Sequence, residues 1–325
     1  MGKHLKIWLV TAIVLLVIGS LLFGGAMTML GWDFSKLSTD EYRTTTHAIS
    51  EDFSNISIDT DTANLLLVPS EDDACTVVCY EQEKVYHSVS VKDNTLTISI
   101  VDTRKWYEYI GINVNFHGPK VAVYLPAGLY GTLALKTDTG SIKVPEDFSF
   151  ESGSLSSDTG SIQNYASVAD FLDIKTSTGK ILVEGVTVGT LNLSASTGSI
   201  TASDITCEGD ASLSASTGKT TLSDITCQNL NVKGETGKIL LTRVLPAKRL
   251  TVKNDTGNVH LDHCDAAEIG IYTDTGNVKG SILSEKVFRA HSDTGNVVVP
   301  DTLTGGKCEI ISDTGNIEIV ILKKT

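Results

Sequence analysis

Residues 250–261 read LTVKNDTGNVHL and residues 269–280 read IGIYTDTGNVKG, two segments that align without a gap. Their shared centre is a Thr-Gly step preceded by Asp, and related steps with Ser or Glu before the threonine bring the total to ten copies. The ten turn glycines are Gly140, Gly160, Gly179, Gly198, Gly218, Gly237, Gly257, Gly276, Gly295 and Gly315. Successive glycines stand 19 or 20 residues apart, which indicates a repeat protein whose unit is one coil of a solenoid.

Apolar residues keep fixed distances from each turn glycine. Around Gly198, for example, Leu193 stands five residues before it and Ile200 two residues after it, and most copies repeat this arrangement. An alternation of period two is typical of strands with one buried face. A single coil cannot bury that face, whereas stacked coils can, with parallel pairing at about 4.8 Å. We predict an all-β, single-stranded parallel β-solenoid of ten coils over residues 131–325.

The turn residues themselves have an architectural explanation. Glycine permits positive φ or close chain approach, and we expect the threonine before it to hydrogen-bond along the stack. In the last four coils the acidic position would form a ladder of Asp255, Asp274, Asp293 and Asp313, beside a ladder of asparagines. Stacked carboxylates repel unless turn amides or a cation satisfy them, so these four are weak candidates for Ca²⁺. Solvated aspartates in Asx-type turns are the alternative.

The same residues do not fit the patterns of the two enzyme classes that they resemble. Asp-Thr-Gly is the signature of aspartic proteases, but Ser177, Ser196, Ser216 and Glu235 fill the acidic slot in other coils, which a catalytic pair would not allow. A polysaccharide lyase needs a compact group of acidic and basic residues, and none interrupts the repeat. We therefore predict a protein that is not an enzyme, with no catalytic residues and no cofactor.

Six cysteines in 325 residues form neither a disulfide scaffold nor a metal motif. Cys207 and Cys227 stand nine residues after successive turn glycines, so their Cα atoms could lie near 5 Å, within the range for a disulfide. Free thiols packed in the return loop are the alternative. Cys264 and Cys308 occupy positions that are otherwise apolar, and we expect them to pack as small hydrophobic residues.

The region before the repeat, residues 44–130, contains strand-like runs separated by polar turns and is predicted to be an irregular β cap of the solenoid. Asp61-Thr62-Ala63-Asn64 resembles a degenerate turn with alanine in place of glycine. The aromatic residues Trp106, Tyr107, Tyr109 and Phe116 form either a partner patch or a hairpin packed on the solenoid.

An uncharged apolar run at residues 7–30 is long enough to cross a bilayer core of about 30 Å. We predict a transmembrane helix with residues 1–6 as a cytoplasmic tail and residues 31–43 as an extracellular linker, because lysines precede the run. A cleaved signal peptide is the alternative, with Gly24, Gly25 and Ala26 at the cutting position. The formal net charge of −13 excludes a nucleic-acid partner, since phosphate binding needs basic surfaces.

Residues 121–126, VAVYLP, followed by LALKTDTGSIKV at 133–144 and the serial Thr-Gly coils, resemble the "putative adhesin" family of bacterial β-strand-repeat proteins. The resemblance covers about residues 45–325 and carries no catalytic residues. It implies a surface protein of the cell envelope, often of Gram-positive bacteria, that acts as an adhesin or an envelope scaffold for a surface polymer. The alternative is an envelope stress sensor that acts through a membrane partner. An unshielded last coil would also allow homo-oligomers.

Overall fold

The structure is a computed structural model that describes residues 3–32, 42–72, 74–106 and 118–322. Its helix α1 spans Lys3–Met29, four residues earlier at its start than the apolar run, because the flanking lysines are themselves good helix formers. The helix ends where Gly31 adopts φ +66°, a left-handed cap. Its span Lys6–Met29 is long and apolar enough to cross a membrane, and most of its side chains are exposed, Met27 excepted.

The described residues after the helix form strands that join into one continuous sheet around a single core. The strands before the repeat are β1 (Tyr42–Ile49), β2 (Asn55–Thr60), β3 (Asn64–Pro69), β4 (Cys75–Gln82), β5 (Val85–Lys92), β6 (Thr95–Asp102) and β7 (Lys120–Leu125). The strands of the repeat are β8 (Gly128–Thr139), β9 (Ile142–Val144), β10 (Phe148–Thr159), β11 (Ile162–Asn164), β12 (Ser167–Thr178), β13 (Ile181–Thr197), β14 (Ile200–Cys207), β15 (Ala211–Thr217), β16 (Thr220–Thr236), β17 (Ile239–Thr256), β18 (Val259–Cys264), β19 (Glu268–Thr275), β20 (Val278–Ile282), β21 (Lys286–Thr294), β22 (Val297–Val298), β23 (Gly306–Thr314) and β24 (Ile317–Ile321).

Each coil consists of a strand, the Thr-Gly turn and a second strand, and we number coils 1 to 10 by their turn glycines from Gly140 to Gly315. Equivalent residues of neighbouring coils pair in parallel, as Leu193 does with Leu213. The apolar offsets that the sequence indicates point into the core, and Leu193 and Ile200 are fully buried. The predicted β-solenoid is confirmed. Each such side chain contributes about 1.5–3 kcal/mol of burial free energy.

The Thr-Gly turn stacks so tightly that it has room for no side chain. A Cβ at Gly218 would lie 1.8 Å from the carbonyl oxygen of Gly198, and Gly218 has φ +148°. Its amide donates to the carbonyl of Thr236 in the next coil at 2.9 Å. The hydrogen bonds that run along the stack here therefore join the glycine amide to the main-chain carbonyl of the threonine, and not to its side chain.

A second ladder, which the sequence did not predict, lies inside the core three residues before each turn glycine. Here a side chain donates to the carbonyl oxygen of the turn in the neighbouring coil, as Ser157 Oγ does to Gly140 at 2.9 Å. Thr176 does the same to Gly160, and Ser292 to Gly315. Four coils lack this bond. Coils 4, 5 and 6 carry Ala195, Ala215 and Gly234 at this position, and Thr273 Oγ1 of coil 8 has no hydrogen-bond partner.

The N-terminal strands continue the solenoid beyond coil 1. β2 and β3 form a further coil, coil 0, which pairs with β8 and β9 of coil 1. Ala63 occupies the turn position of coil 0. β6 and β7 stack outside coil 0, also in parallel. The cap is completed by antiparallel strands, β5 against β6 on one side and β4 with β1 against β7 on the other.

At the opposite end of the solenoid, the order in which the coils stack differs from their order along the chain. β23 and β24 of coil 10 pair with β19 and β20 of coil 8, and coil 9 pairs only with coil 10. The spatial order is therefore 8, 10, 9, and the expectation that the last coil is the unshielded one is wrong. Coil 9 is the outermost coil, and its Val298 and Leu303 are 61% and 89% exposed.

Two adjacent glycines allow coil 10 to enter between its neighbours. A Cβ at Gly305 would lie 1.8 Å from the carbonyl oxygen of Glu285 in coil 9, and one at Gly306 would lie 1.8 Å from that of Ala267 in coil 8. A side chain at either position would overlap a carbonyl oxygen of the neighbouring coil, so both positions require glycine.

Candidate functional site

A groove on the outer surface of coils 7, 8 and 10 combines an aromatic ring with several charged side chains. It occupies about 670 Å³. Its lining residues are Arg249, Thr251, Lys253, Glu268, Ile269, Gly270, Tyr272, Lys307 and Glu309. They come from the strands before the Thr-Gly turn and, apart from the buried Ile269, occupy alternate positions that face away from the core. Lys307 and Glu309 lie beside coil 8 only because coil 10 is inserted there.

Tyr272 is the centre of the groove. Gly270 has no side chain, and the Tyr272 ring folds over it, with ring atoms 3.2–3.6 Å from where a Cβ of Gly270 would stand. The Tyr272 hydroxyl donates to Glu309 Oε2 at 2.9 Å, and the Lys253 ammonium lies 6.0 Å from the centre of the ring. Partial burial and then the neighbouring Glu309 raise the pKa of Tyr272, so the hydroxyl stays protonated and remains a donor.

Basic groups outnumber acidic groups around this ring. Lys307 Nζ lies 3.1 Å from Glu309 Oε2, and Arg289 of coil 9 lies 3.5 Å from the other carboxylate oxygen. The hydrogen bond from Lys307, followed by that from Tyr272, lowers the pKa of Glu309. Arg249 pairs with Glu268 at the other side. Four cations (Arg249, Lys253, Arg289, Lys307) thus face two carboxylates on a chain whose net charge is −13.

The predicted aspartate ladder lies on the turn edge of the rod, and its four side chains are exposed. Their spatial order is Asp255, Asp274, Asp313 and Asp293, because of the exchange of coils 9 and 10. Among the described residues they are not part of a group whose ligand atoms come close enough to share an ion. Calcium binding there stays a prediction.

The neighbouring asparagines make a regular ladder. Asn258 Oδ1 accepts from the amide of Asn277 at 2.9 Å, Asn277 Oδ1 from Asn316, and Asn316 Oδ1 from Asn296, both at 2.8 Å. Asn64 of coil 0 makes the same bond to Ser141. The ladder is therefore structural, since each side chain satisfies a turn amide of the next coil.

The cysteines are buried free thiols. Cys207 and Cys227 lie in neighbouring coils as free thiols, and the disulfide between them stays a prediction. Cys264 and Cys308 are buried as expected, and burial raises their pKa to about 11 and about 12. In the proposed aromatic patch, Trp106 is exposed, whereas Tyr107, Tyr109 and Phe116 lie outside the described residues.

The sequence of coil 8 departs from the other coils at two outward-facing positions that line the groove. Tyr272 and Gly270 alternate on the outer face of one strand, where most coils have small polar residues or lysine. The contact with Glu309 could not be predicted, because residues 37 positions apart meet only through the coil exchange. Sequence reasoning also missed Cys79, Glu81 and His87, which meet in the cap.

Comparison with known proteins gives one matching family and several structural neighbours. The family described as Toastrack DUF4097 matches residues 53–214 and 169–325. Among curated proteins, none matches the chain. The chain is similar to a solved putative adhesin of Bacteroides fragilis at 16% identity and a TM-score of 0.44, covering 86% of this chain and 97% of that one.

Two further solved structures come from Parabacteroides distasonis. One is a putative adhesin at 16% identity and a TM-score of 0.45, covering 87% of this chain and 98% of that one. The other is a putative lipid binding protein at 16% identity and a TM-score of 0.42, covering 75% and 98%.

Proposed function

Since the chain belongs to the Toastrack DUF4097 family of β-solenoid proteins, we propose that it is a membrane-anchored surface protein with an adhesin-like role. The groove around Tyr272 is its binding site, and an acidic polysaccharide is its ligand. The observation that carries the proposal is the concentration of cations around an aromatic ring on an otherwise acidic rod. The family is not a known enzyme family, and we propose binding without catalysis.

The chemistry of the groove suits an acidic sugar polymer. An aromatic ring offers a flat apolar surface to the face of a sugar, and Tyr272 also offers a hydroxyl. Lysine and arginine beside it bind carboxylate or phosphate groups of the polymer. The groove runs across neighbouring coils, so a linear polymer can contact several of them at once.

The helix α1 supports anchoring at the cell surface. The span Lys6–Met29 is exposed over most of its length, and an apolar helix of this length is stable where lipid covers it. We propose an N-terminus in the cytoplasm and the β-solenoid outside. The sensor alternative would use the same topology but would bind a membrane protein in place of a polymer.

Binding of the detergent-purified full chain to acidic and neutral polysaccharides tests the proposal. We expect affinity for acidic polymers that falls as salt rises, and a loss of about tenfold or more in the double variant Lys253→Gln, Lys307→Gln. Lys175→Gln is the matched control, because Lys175 is an exposed lysine at the position of Lys253 but in coil 3.

Equal binding by the groove variant and the control would contradict the groove as the site. Chemical crosslinking in membranes distinguishes the alternative. Recovery of one membrane protein, with no affinity for any polysaccharide, would favour the sensor.

A further inference from the structure

The interior of the cap contains three ionisable side chains where an apolar core would be expected. Cys79 and Glu81 stand at alternate positions of β4 that point inward, and His87 follows on β5. Their exposed fractions are 0%, 2% and 3%. A buried carboxylate and imidazole carry a desolvation cost that apolar residues of similar size would not.

The three side chains come from two sides of the cap. β4 pairs with β1 and β7, whereas β5 pairs with β6, so the short connection after Gln82 links the two sides. Glu81 on β4 and His87 on β5 are both buried in the interior and contact each other there. A ligand held by all three side chains would tie β4 to β5.

The ligand atoms already lie close enough to surround one ion. Cys79 Sγ, a Glu81 carboxylate oxygen and a His87 ring nitrogen all lie within 4.8 Å of one another. Glu81 Oε2 is 3.0 Å from His87 Nδ1 and accepts from the His87 amide at 2.7 Å. Among the described residues, these three are the group of potential ligands with this property.

We propose that Cys79, Glu81 and His87 form a binding site for a divalent transition-metal ion of the Zn²⁺ type. Thiolate, imidazole and carboxylate are together the ligand set of Zn²⁺, and calcium or magnesium would not choose sulfur. Three protein ligands leave a further position to solvent.

Thr60 completes the site as a positioning residue. Its Oγ1 lies 2.9 Å from His87 Nε2, on the opposite side of the ring from Glu81. When Nδ1 binds the metal, Nε2 carries the ring proton, and the Thr60 hydroxyl is placed to accept a hydrogen bond from Nε2–H. A hydrogen bond of this kind commonly fixes the tautomer of a metal-binding histidine.

Metal binding at this site displaces the proton of the Cys79 thiol. The thiol loses this proton to solvent as the sulfur–metal bond forms. Burial, and then the nearby Glu81, raise the pKa of the Cys79 thiol to about 12 without metal. The ion therefore has to displace the thiol proton.

An adjacent cavity gives access. It has a volume of about 390 Å³ and lies between the cap and coils 0 and 1, with Thr60, Gln82 and His87 in its wall. An ion can reach the ring from this side.

Cobalt substitution of the full chain in detergent tests the proposal. After chelator treatment, we expect Co²⁺ to bind at a ratio of one per chain with a thiolate-to-cobalt charge-transfer band, and Zn²⁺ to displace it. Zn²⁺ should also raise the melting temperature of the β-domain. Absence of the band in folded wild-type protein would overturn the site.

Variants separate this site from adventitious binding. Cys79→Ser should abolish the charge-transfer band, whereas Cys207→Ser, a change of another buried cysteine, should leave it intact. Glu81→Gln keeps the shape of the side chain and should weaken affinity. Thr60→Val should weaken affinity about 10- to 100-fold while the band remains. A band that persists in folded Cys79→Ser protein would contradict the proposal.

Discussion

At the scale of single residues, the turn glycine shows why one residue type recurs through ten coils. The coil spacing brings each turn against the carbonyl oxygen of a neighbouring turn, 1.6–2.2 Å from where a Cβ would stand. Glycine is needed there for the space it leaves and, at eight of the ten turns, also for its positive φ.

We expect Gly218→Ala to destabilise the β-domain by about 3 kcal/mol, because the methyl group would overlap the Gly198 carbonyl and alanine disfavours φ +148°. Gly128→Ala is the control, since nothing lies within 4 Å of its Cβ position. Thermal unfolding followed by circular dichroism measures both. Equal melting temperatures for the two variants would contradict this explanation.

The internal ladder gives a second prediction at this scale. Ser157→Ala should cost about 1–2 kcal/mol, because it removes the hydroxyl that donates to the buried Gly140 carbonyl. The reverse change, Ala195→Ser, should leave stability unchanged or raise it, since the new hydroxyl can reach the carbonyl of Gly179. Amide exchange at the neighbouring turns would reveal both effects, and a loss of protection in Ala195→Ser would count against the ladder.

Among the strands and coils, the inverted order at the end of the solenoid places coil 10, the last coil of the chain, between coils 8 and 9. An internal coil is paired on both sides and buried on its inner face, whereas coil 9 is paired on one side. Removing coil 10 therefore removes the support of coil 9 as well.

A chain truncated after residue 305 should accordingly lose both coils. We expect its melting temperature to equal that of a chain truncated after residue 283, with residues 286–298 unprotected in hydrogen exchange. A sequential stack would instead keep coil 9 folded on coil 8. Protection of residues 286–298 in the longer truncation would contradict the exchanged order.

At the scale of the whole molecule, an apolar helix and an acidic rod are joined in one chain. The helix is exposed over most of its length, and most charged side chains of the rod lie on its outer surface. These two parts require different surroundings, lipid for one and water for the other.

We expect the full chain to remain in the membrane fraction under alkaline extraction, and a chain that begins at residue 42 to be soluble. An N-terminal tag should stay on the mature protein, because α1 is proposed to be an anchor. Loss of the tag during export would show that the helix is a cleaved signal and would contradict anchoring.

Much of the fold could be predicted from local pattern alone. The period of 19–20 residues, the alternation around each glycine and the degenerate turn at Ala63 all follow from residues close in sequence. The Tyr272–Glu309 contact and the Cys79–Glu81–His87 cluster could not, since no periodic pattern marks them.

By itself, the sequence determined the coil length, the buried face of each strand, the glycine turns and the apolar N-terminal segment. These features depend on the covalent period of the chain and on the steric demands of single residues. Only the tertiary structure decided that coil 10 lies between coils 8 and 9, and that the groove and the cap cluster exist. Equivalent coils have nearly the same pairing edges, so the order in which they stack depends on the packing of the connections, above all at Gly305 and Gly306.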